Sequence, residues 1–352
     1  MGTGSYQNSY TLVPTFYSRQ PWIGFLENKM QRPAFIRLLD KTNQNIWERS
    51  SSRVVNPILM KSTLNFAIAG NNDGPLFLLR SLKGEKTQPL FVALQKPVSP
   101  QLRAEYLRFI DHDHFFEGVD EKDLVELGDQ YGIKMLFNVF CNFRFGMSLE
   151  KYEVVNVHPA SLPRYRGRHP MHWALINGEK KFAVSIHKME KEIDAGDIYW
   201  QKSIRITEGM SVKELRSALM DQLEAGFAGF LNKFMGGKIK AKPNTDDKAT
   251  YVARRFPADS EIKEWTNSDL IIRKVMALRS EANPAFLKIK GQEIKLFSAL
   301  PGSRRYEGIA APFITRLAPD GFEMAFLDGK TIFFSGINPK DHNLQLNDGL
   351  AI

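Results

Sequence analysis

The run Val154-Val155-Asn156-Val157-His158-Pro159 constrains this chain more than any other stretch. It opens as a short apolar segment, and Asn156 and His158 lie two residues apart, so on a strand their side chains share one face. The sequence then breaks into the Pro-rich, basic turn Pro159-Ala160-Ser161-Leu162-Pro163-Arg164-Tyr165-Arg166-Gly167. The polar pair is therefore expected where a strand gives way to a loop, and in open α/β sheets the ligand crevice lies at the carboxyl ends of the strands. A second alternating run, Phe182-Ala183-Val184-Ser185-Ile186, leads to His187. Asp194 follows, thirty-six residues beyond His158.

The surrounding pattern alternates strand and helix. Leu64–Ala69, Leu90–Leu94 and Lys134–Phe140 read as buried strands, as do Val154–Val157 and Phe182–His187. Between them, Leu76–Leu82 has helical spacing, and Asp120 and Gly132 bracket a helix carrying Leu124, Leu127 and Tyr131. Ser211 and Glu214 form a capping box ahead of Val212, Leu215, Leu219, Leu223, Phe227, Phe230 and Phe234, and Gly236-Gly237 ends that helix. The pattern predicts an α/β domain over 60–245, with a parallel sheet and helices on both faces. Gly70–Gly74 is not a GxGxxG fingerprint, so no nicotinamide cofactor is implied.

After a polar linker at Lys242–Lys248 the period changes. Leu287/Ile289 and Ile294/Leu296 alternate around Gly291. Phe322, Met324 and Phe326 alternate before Asp328-Gly329, and Ile332-Phe333-Phe334 returns. Residues 250–337 are thus expected to form a small β-rich domain, with 338–352 a polar tail. Residues 1–59 are Ser-, Asn-, Gln- and Arg-rich without a clean period, and read as an extension ahead of a domain that starts at Met60.

The chain has 352 residues and a net charge of +9, of which residues 1–59 supply +4. The remaining +5 favours anionic partners without by itself indicating nucleic acid. No apolar stretch approaches the roughly 20 residues needed to span a bilayer, and the single cysteine, Cys141, excludes an intrachain disulfide. A reducing cytoplasm, an inert core thiol and no membrane association are the expectations.

At the motifs a family resemblance emerges. Asn156-Val157-His158, Ser161-Leu162-Pro163-Arg164-Tyr165-Arg166-Gly167, Trp173, Asn177-Gly178-Glu179, His187 and Asp194-Ala195-Gly196-Asp197-Ile198 resemble the formyltransferases that use N10-formyltetrahydrofolate. Arg254-Arg255-Phe256-Pro257 through Trp265 looks like the start of the second domain in the tRNA and aminoarabinose enzymes of that family. The resemblance covers about residues 61–335. It implies a Rossmann-like formyltransferase domain followed by an OB-like β-rich domain, with N10-formyltetrahydrofolate as co-substrate and no metal. It implies Asn156, His158 and Asp194 as a catalytic trio. It also implies folate contacts at Asn142, Phe143, Arg144 and Asp197, and substrate contacts at Ser161, Tyr165 and Arg166. One position departs from the pattern: the family's Ser two places after the His is Ala160 here, and Ser161 comes one later.

The chemistry suits these side chains. Attack of an amine on a formamide-like carbonyl develops an oxyanion, to which a carboxamide and an imidazolium can donate, while the amine must lose a proton to a positioned group. Asp194 beside His158 is expected to raise the imidazole pKa. His187 either bonds near the site or ends its strand, and Arg164, Arg166 and Arg168 either hold an anion or solvate a loop. Formyltetrahydrofolate hydrolysis is a lesser alternative. The leading acceptor is the amine of an amino-sugar nucleotide. The initiator methionyl-tRNA enzyme is the rival, but Leu94-Gln95-Lys96-Pro97-Val98-Ser99-Pro100 lacks the basic Gly-rich insertion that grips an acceptor stem. A homodimer joined through the β-rich domain is the implied assembly.

Overall fold

A computed structural model describes residues 64–142 and 145–350. The expected extension 1–59 lies outside them, as do Phe143 and Arg144. Lys61–Ile352 forms one compact unit.

Its centre is a seven-stranded sheet. Strands β1 (Phe66–Gly70), β2 (Val92–Leu94), β3 (Phe115–Glu117), β4 (Met135–Val139) and β5 (Glu153–His158) are followed by a short β6 (Arg166–Gly167), then β7 (Lys181–Lys188) and β8 (Ile198–Arg205). The order across the sheet is β3-β2-β1-β4-β5-β7-β8. The first five are mutually parallel, as the unbroken apolar runs of β1, β2, β4 and β5 predict. The last two differ from the expectation: β7 runs antiparallel to β5, and β8 to β7. The cause is the connection. Between β5 and β7 the only helix is α5 (Pro170–Ile176), about 10 Å long at 1.5 Å per residue. That is too short to carry the chain back along a strand of roughly 20 Å, so β7 starts from the end where β5 stops.

Alternation along β1 sorts its side chains. Phe66 and Ile68 pack in the core formed with α1 (Gly74–Ser81) and the long α6 (Val212–Met235). Ala67 and Ala69 face a second core that includes Leu124 and Val125 of α3 (Glu121–Tyr131). The expected capping box of Ser211 with Glu214 forms on α6, and Asp120, expected to start α3, forms a second one with Asp123. Two short helices, α2 (Pro100–Tyr106) and α4 (Gly146–Lys151), complete this part.

The polar linker is not a free tether. Lys242 pairs with Ile198, and β9 (Tyr251–Val252) runs parallel to β6, Arg166 facing Tyr251 and Gly167 facing Val252. After α7 (Ser268–Leu278) come the expected hairpin β10 (Ala285–Ile289) and β11 (Gln292–Leu296), then β12 (Ala299–Arg305), β13 (Phe313–Ala318), β14 (Gly321–Ala325) and β15 (Lys330–Ser335). The last four form an antiparallel sheet of order β12-β15-β14-β13. Arg273 on α7 donates to the Ile176 carbonyl at 2.9 Å, tying this region to the α/β part. The boundary at 245–250 is thus a change of architecture within one packed unit. The segment read as a tail also packs back. Ile314 and Asn347 donate to the Asp348 and Ile314 carbonyls at 2.9 and 3.0 Å, and Leu344 and Leu350 are buried.

Candidate active site

Val155 and Val157 of β5 enter the α1/α6 core. Asn156 and His158 therefore take the opposite face, and both are buried at the carboxyl end of the strand. Antiparallel register sets His187 of β7 directly opposite Asn156. The parallel neighbour on β4 is Asn138, and its Nδ2 donates to Asn156 Oδ1 at 2.8 Å. That bond fixes the amide, turning Asn156 Nδ2 toward His187 Nε2 at 3.1 Å and Asp194 Oδ1 at 3.4 Å.

Asp194 reaches this group from the loop between β7 and β8. Its backbone has φ 52°, an uncommon conformation for a side chain other than glycine. The carboxylate is enclosed: Gly167 N donates to Oδ2 at 2.8 Å, His158 Nε2 stands 3.6 Å from Oδ2, and His187 Nε2 stands 3.6 Å from Oδ1. The structure thus brings Asn156, His158 and Asp194 together, and adds His187. Burial alone would raise the Asp194 pKa, but the neighbouring His158 and His187 and the Gly167 amide hold it down at about 2. His158 differs from the expectation. Asp194 does push its pKa up, but burial pushes it down further and His187 adds to that, so the net shift is downward. At neutral pH the His158 imidazole is therefore neutral.

Hydrogen bonds assign the ring protons. His158 Nε2 faces the Tyr165 carbonyl at 3.1 Å, an acceptor only, so this nitrogen carries the proton and Nδ1 holds a lone pair. Among the described residues nothing hydrogen-bonds that Nδ1. His187 Nδ1 faces the Lys188 carbonyl at 2.7 Å, which leaves its Nε2 to accept from Asn156.

The loop after β5 is held by groups the sequence did not single out. Ser185 Oγ donates to the Ala160 carbonyl at 2.7 Å, and Gln201 Nε2 donates to Ser185 Oγ and the Leu162 carbonyl at 2.8 and 3.0 Å. Asn244, inside the supposed linker, donates to the carbonyls of Asp194 and Gly196 at 2.7 and 3.0 Å. A Cβ on Gly196 would collide with the Lys188 carbonyl oxygen, and one on Gly167 (φ 103°) with that of Val252. Glycine is required at both.

The remaining predicted residues divide. Arg166 is fully buried. Its guanidinium donates to Asn244 O and Oδ1 at 2.7 and 3.1 Å, to Tyr251 Oη at 2.8 Å and to Asp246 Oδ1 at 2.8 Å. Tyr165 is also buried, its hydroxyl donating to Glu179 at 2.8 Å. Both expected substrate contacts are thus occupied by the fold, because a loop crossing the sheet edge needs internal anchors. Arg164 pairs with Glu179, which leaves Arg168 exposed. Ser161 is half-buried and its hydroxyl has no partner among the described residues. Asn142 N donates to Gln95 Oε1 at 3.0 Å, and Asn71 donates to the same oxygen at 2.6 Å. The Asp197 carboxylate accepts from Asn244 N at 3.4 Å, as a turn-capping residue would. The Cys141 thiol is pushed up by burial, consistent with an inert thiol.

Fold and site together define an α/β domain with a buried Asn–His–Asp group at the strand ends, and known proteins can be set beside it. Residues 147–229 match the model of the formyl transferase family, bearing out the resemblance of the Asn156–Gly167 and Asp194–Ile198 motifs. The methionyl-tRNA formyltransferase of Thermotoga neapolitana is 34% identical over 155 residues, covering 44% of this chain and 49% of that protein. The chain thus spans about half the length of the curated relative it matches. Two solved structures share the fold. The N-formyltransferase of Helicobacter canadensis, in complex with folinic acid and dTDP-3-aminofucose, has a TM-score of 0.59 at 16% identity, covering 78% of this chain and 100% of that one. HypX of Aquifex aeolicus, in complex with tetrahydrofolic acid, has a TM-score of 0.55 at 17% identity, covering 78% and 44%. Among the described residues no helix is long and apolar enough to cross a membrane.

Proposed function

We propose that this protein transfers a formyl group from N10-formyltetrahydrofolate to a primary amine, and that the acceptor is an amino-sugar nucleotide. The observation that carries the transfer reading is the His158 imidazole, neutral and with an unpaired Nδ1, backed by an ionised Asp194 and flanked by the Asn156 amide. The donor set fits a folate. Among the described residues the buried Asn71 Oδ1 lacks a partner, and it lies in the same small network as Gln95 and Asn142, so Asn142 and its successors Phe143 and Arg144 would hold the folate, with Asp197 at its border. When bound, the folate supplies the activated formyl carbonyl. His158 Nδ1 then takes the amine's proton and returns it to the folate nitrogen that departs as its bond to the formyl carbon breaks. Asp194, within 3.6 Å, stabilises the imidazolium this creates. Asn156 Nδ2 redirects its long contact toward the carbonyl oxygen, where such a donor is worth about 2.7–4 kcal/mol. Asn138 and Gly167 keep both groups aimed.

The sugar reading is supported by the connection after β2. Only residues 95–99 separate it from α2, and Ser99 caps that helix, leaving no basic insertion to reach an acceptor stem. The initiator-tRNA reading is favoured by the name of the 34% identical relative. Incubation with N10-formyltetrahydrofolate and a panel of amino-sugar nucleotides, alongside charged initiator tRNA, tests both. Formylation of a sugar is expected. Formylation of the tRNA alone overturns the acceptor assignment, and formate release without transfer overturns both.

A further inference from the structure

The Tyr165 carbonyl sets which nitrogen of His158 carries the proton, and what holds that carbonyl lies far off in the chain. His158 Nε2 meets it at 3.1 Å, whereas Asp194 Oδ2, at 3.6 Å, stands beyond hydrogen-bond length. A ring nitrogen bonded to a carbonyl must keep its proton, which leaves the lone pair on the other. Tyr165 presents its carbonyl with φ 64°, in the left-handed region that a side chain other than glycine rarely adopts. Such a conformation persists only where its surroundings impose it.

Both peptide groups flanking the Tyr165 Cα are tied to one residue, Thr250, which immediately precedes β9. The Tyr165 N–H donates to Thr250 Oγ1 at 2.9 Å. The Arg166 N–H donates to the Thr250 carbonyl at 2.8 Å. That second N–H belongs to the same peptide group as the Tyr165 carbonyl, and in a trans peptide the two point in opposite directions. Thr250 therefore draws the N–H to itself and turns the carbonyl the other way, onto His158. With both flanking planes held, φ and ψ of Tyr165 are set between them.

We infer that Thr250 is a positioning residue: it acts through the Tyr165 carbonyl to keep the His158 proton on Nε2 and the Nδ1 lone pair available to an incoming amine. Its effect on turnover rests on the transfer reading; the tautomer does not, because it is read from the protein without folate or amine.

The test is nitrogen-15 NMR of the full chain labelled at histidine, with His158→Gln used to pick out its ring among the seven. Above neutral pH, protonated and lone-pair ring nitrogens resonate far apart, so the spectrum reads the tautomer directly. The parent should show the proton on Nε2. Thr250→Val keeps the shape and removes the hydroxyl. It should bring in the form protonated on Nδ1 and lower kcat about tenfold, part of what a positioned base is worth, with KM for both substrates unchanged. Thr250→Ser restores the hydroxyl and should match the parent in both respects. Thr250 is exposed, so these changes leave the core untouched; should Thr250→Val not fold, Thr250→Ala is read in the same way. A parent ring protonated on Nδ1 overturns the inference. So does a hydroxyl-free variant with the parent's tautomer, whatever its turnover. Should the parent formylate no amine, the transfer reading falls, and the tautomer shift alone decides the role of Thr250.

Discussion

Arg166→Met separates a structural arginine from a substrate-binding one. The side chain is fully buried, and methionine keeps its stem only as far as the Nε position. Two bonds to Asn244 disappear, leaving a buried carbonyl and a side-chain oxygen unsatisfied at about 1–3 kcal/mol each. The ion pair contributes little, because Asp246 is 78% exposed, and such pairs are worth about 0–1 kcal/mol. The guanidinium also lies 5.5 Å from the Tyr251 ring, worth about 0.5–1 kcal/mol. Against these, relief of the buried charge returns about 1–4 kcal/mol. The balance is a loss near 2 kcal/mol, or a drop of roughly 4–8 °C in melting temperature for a domain of this size class. Because Asn244 also holds the Asp194 and Gly196 carbonyls, kcat should fall along with stability. Calorimetry and steady-state kinetics decide the matter. An unchanged melting temperature with a KM for the amine raised tenfold would refute the reasoning and return Arg166 to the substrate.

Other perturbations reach the site from different directions. Asp194→Asn should lower kcat by about 10²–10⁴-fold with the fold intact by circular dichroism; near-parental turnover would sink the trio. The His158 pKa lies below its ordinary 6.5, so the acid limb of kcat/KM should fall below pH 6.5, and a limb above that value would contradict the neutral imidazole. In stability, the unfolded chain takes up the His158 proton first. The folded state should therefore be fully stable above pH 6.5 and lose ground as pH falls through that window. Asp194, held at about 2, adds a contribution present above its unfolded value of 3.8 and lost as pH falls toward 2, measurable by urea melts across pH. Gly167→Ala should destabilise by about 1–3 kcal/mol from its backbone conformation alone, and more if the collision with Val252 is not relieved. A silent substitution would show that β6 and β9 can part.

Much of the fold could be read from local pattern, because unbroken apolar runs and capping boxes act within a few residues. The strands around Phe66–Gly70 and Met135–Val139 and the helix Val212–Met235 fell where their periods put them. β3 and β8 escaped notice: Phe115–Glu117 is only three residues long, and the polar Gln201 and Lys202 interrupt the apolar pattern of Ile198–Arg205. In the site, Asn138 carries a signal of its own, a lone amide in the apolar strand Met135–Val139. Asn244 carried none, since a polar residue in a polar linker looks like solvated chain until the linker is seen crossing the loop.

The sequence by itself determined the α/β alternation, the β-rich sequel and the polar Asn156–His158 pair at the end of β5. Each of these follows from residue type and spacing over short distances. Only the tertiary structure decided the antiparallel turn of β7 that sets His187 against Asn156, the burial of Arg166 as an anchor, and the neutral state of His158. Those outcomes depend on register, enclosure and dielectric, which arise where distant segments meet and which no window along the chain contains.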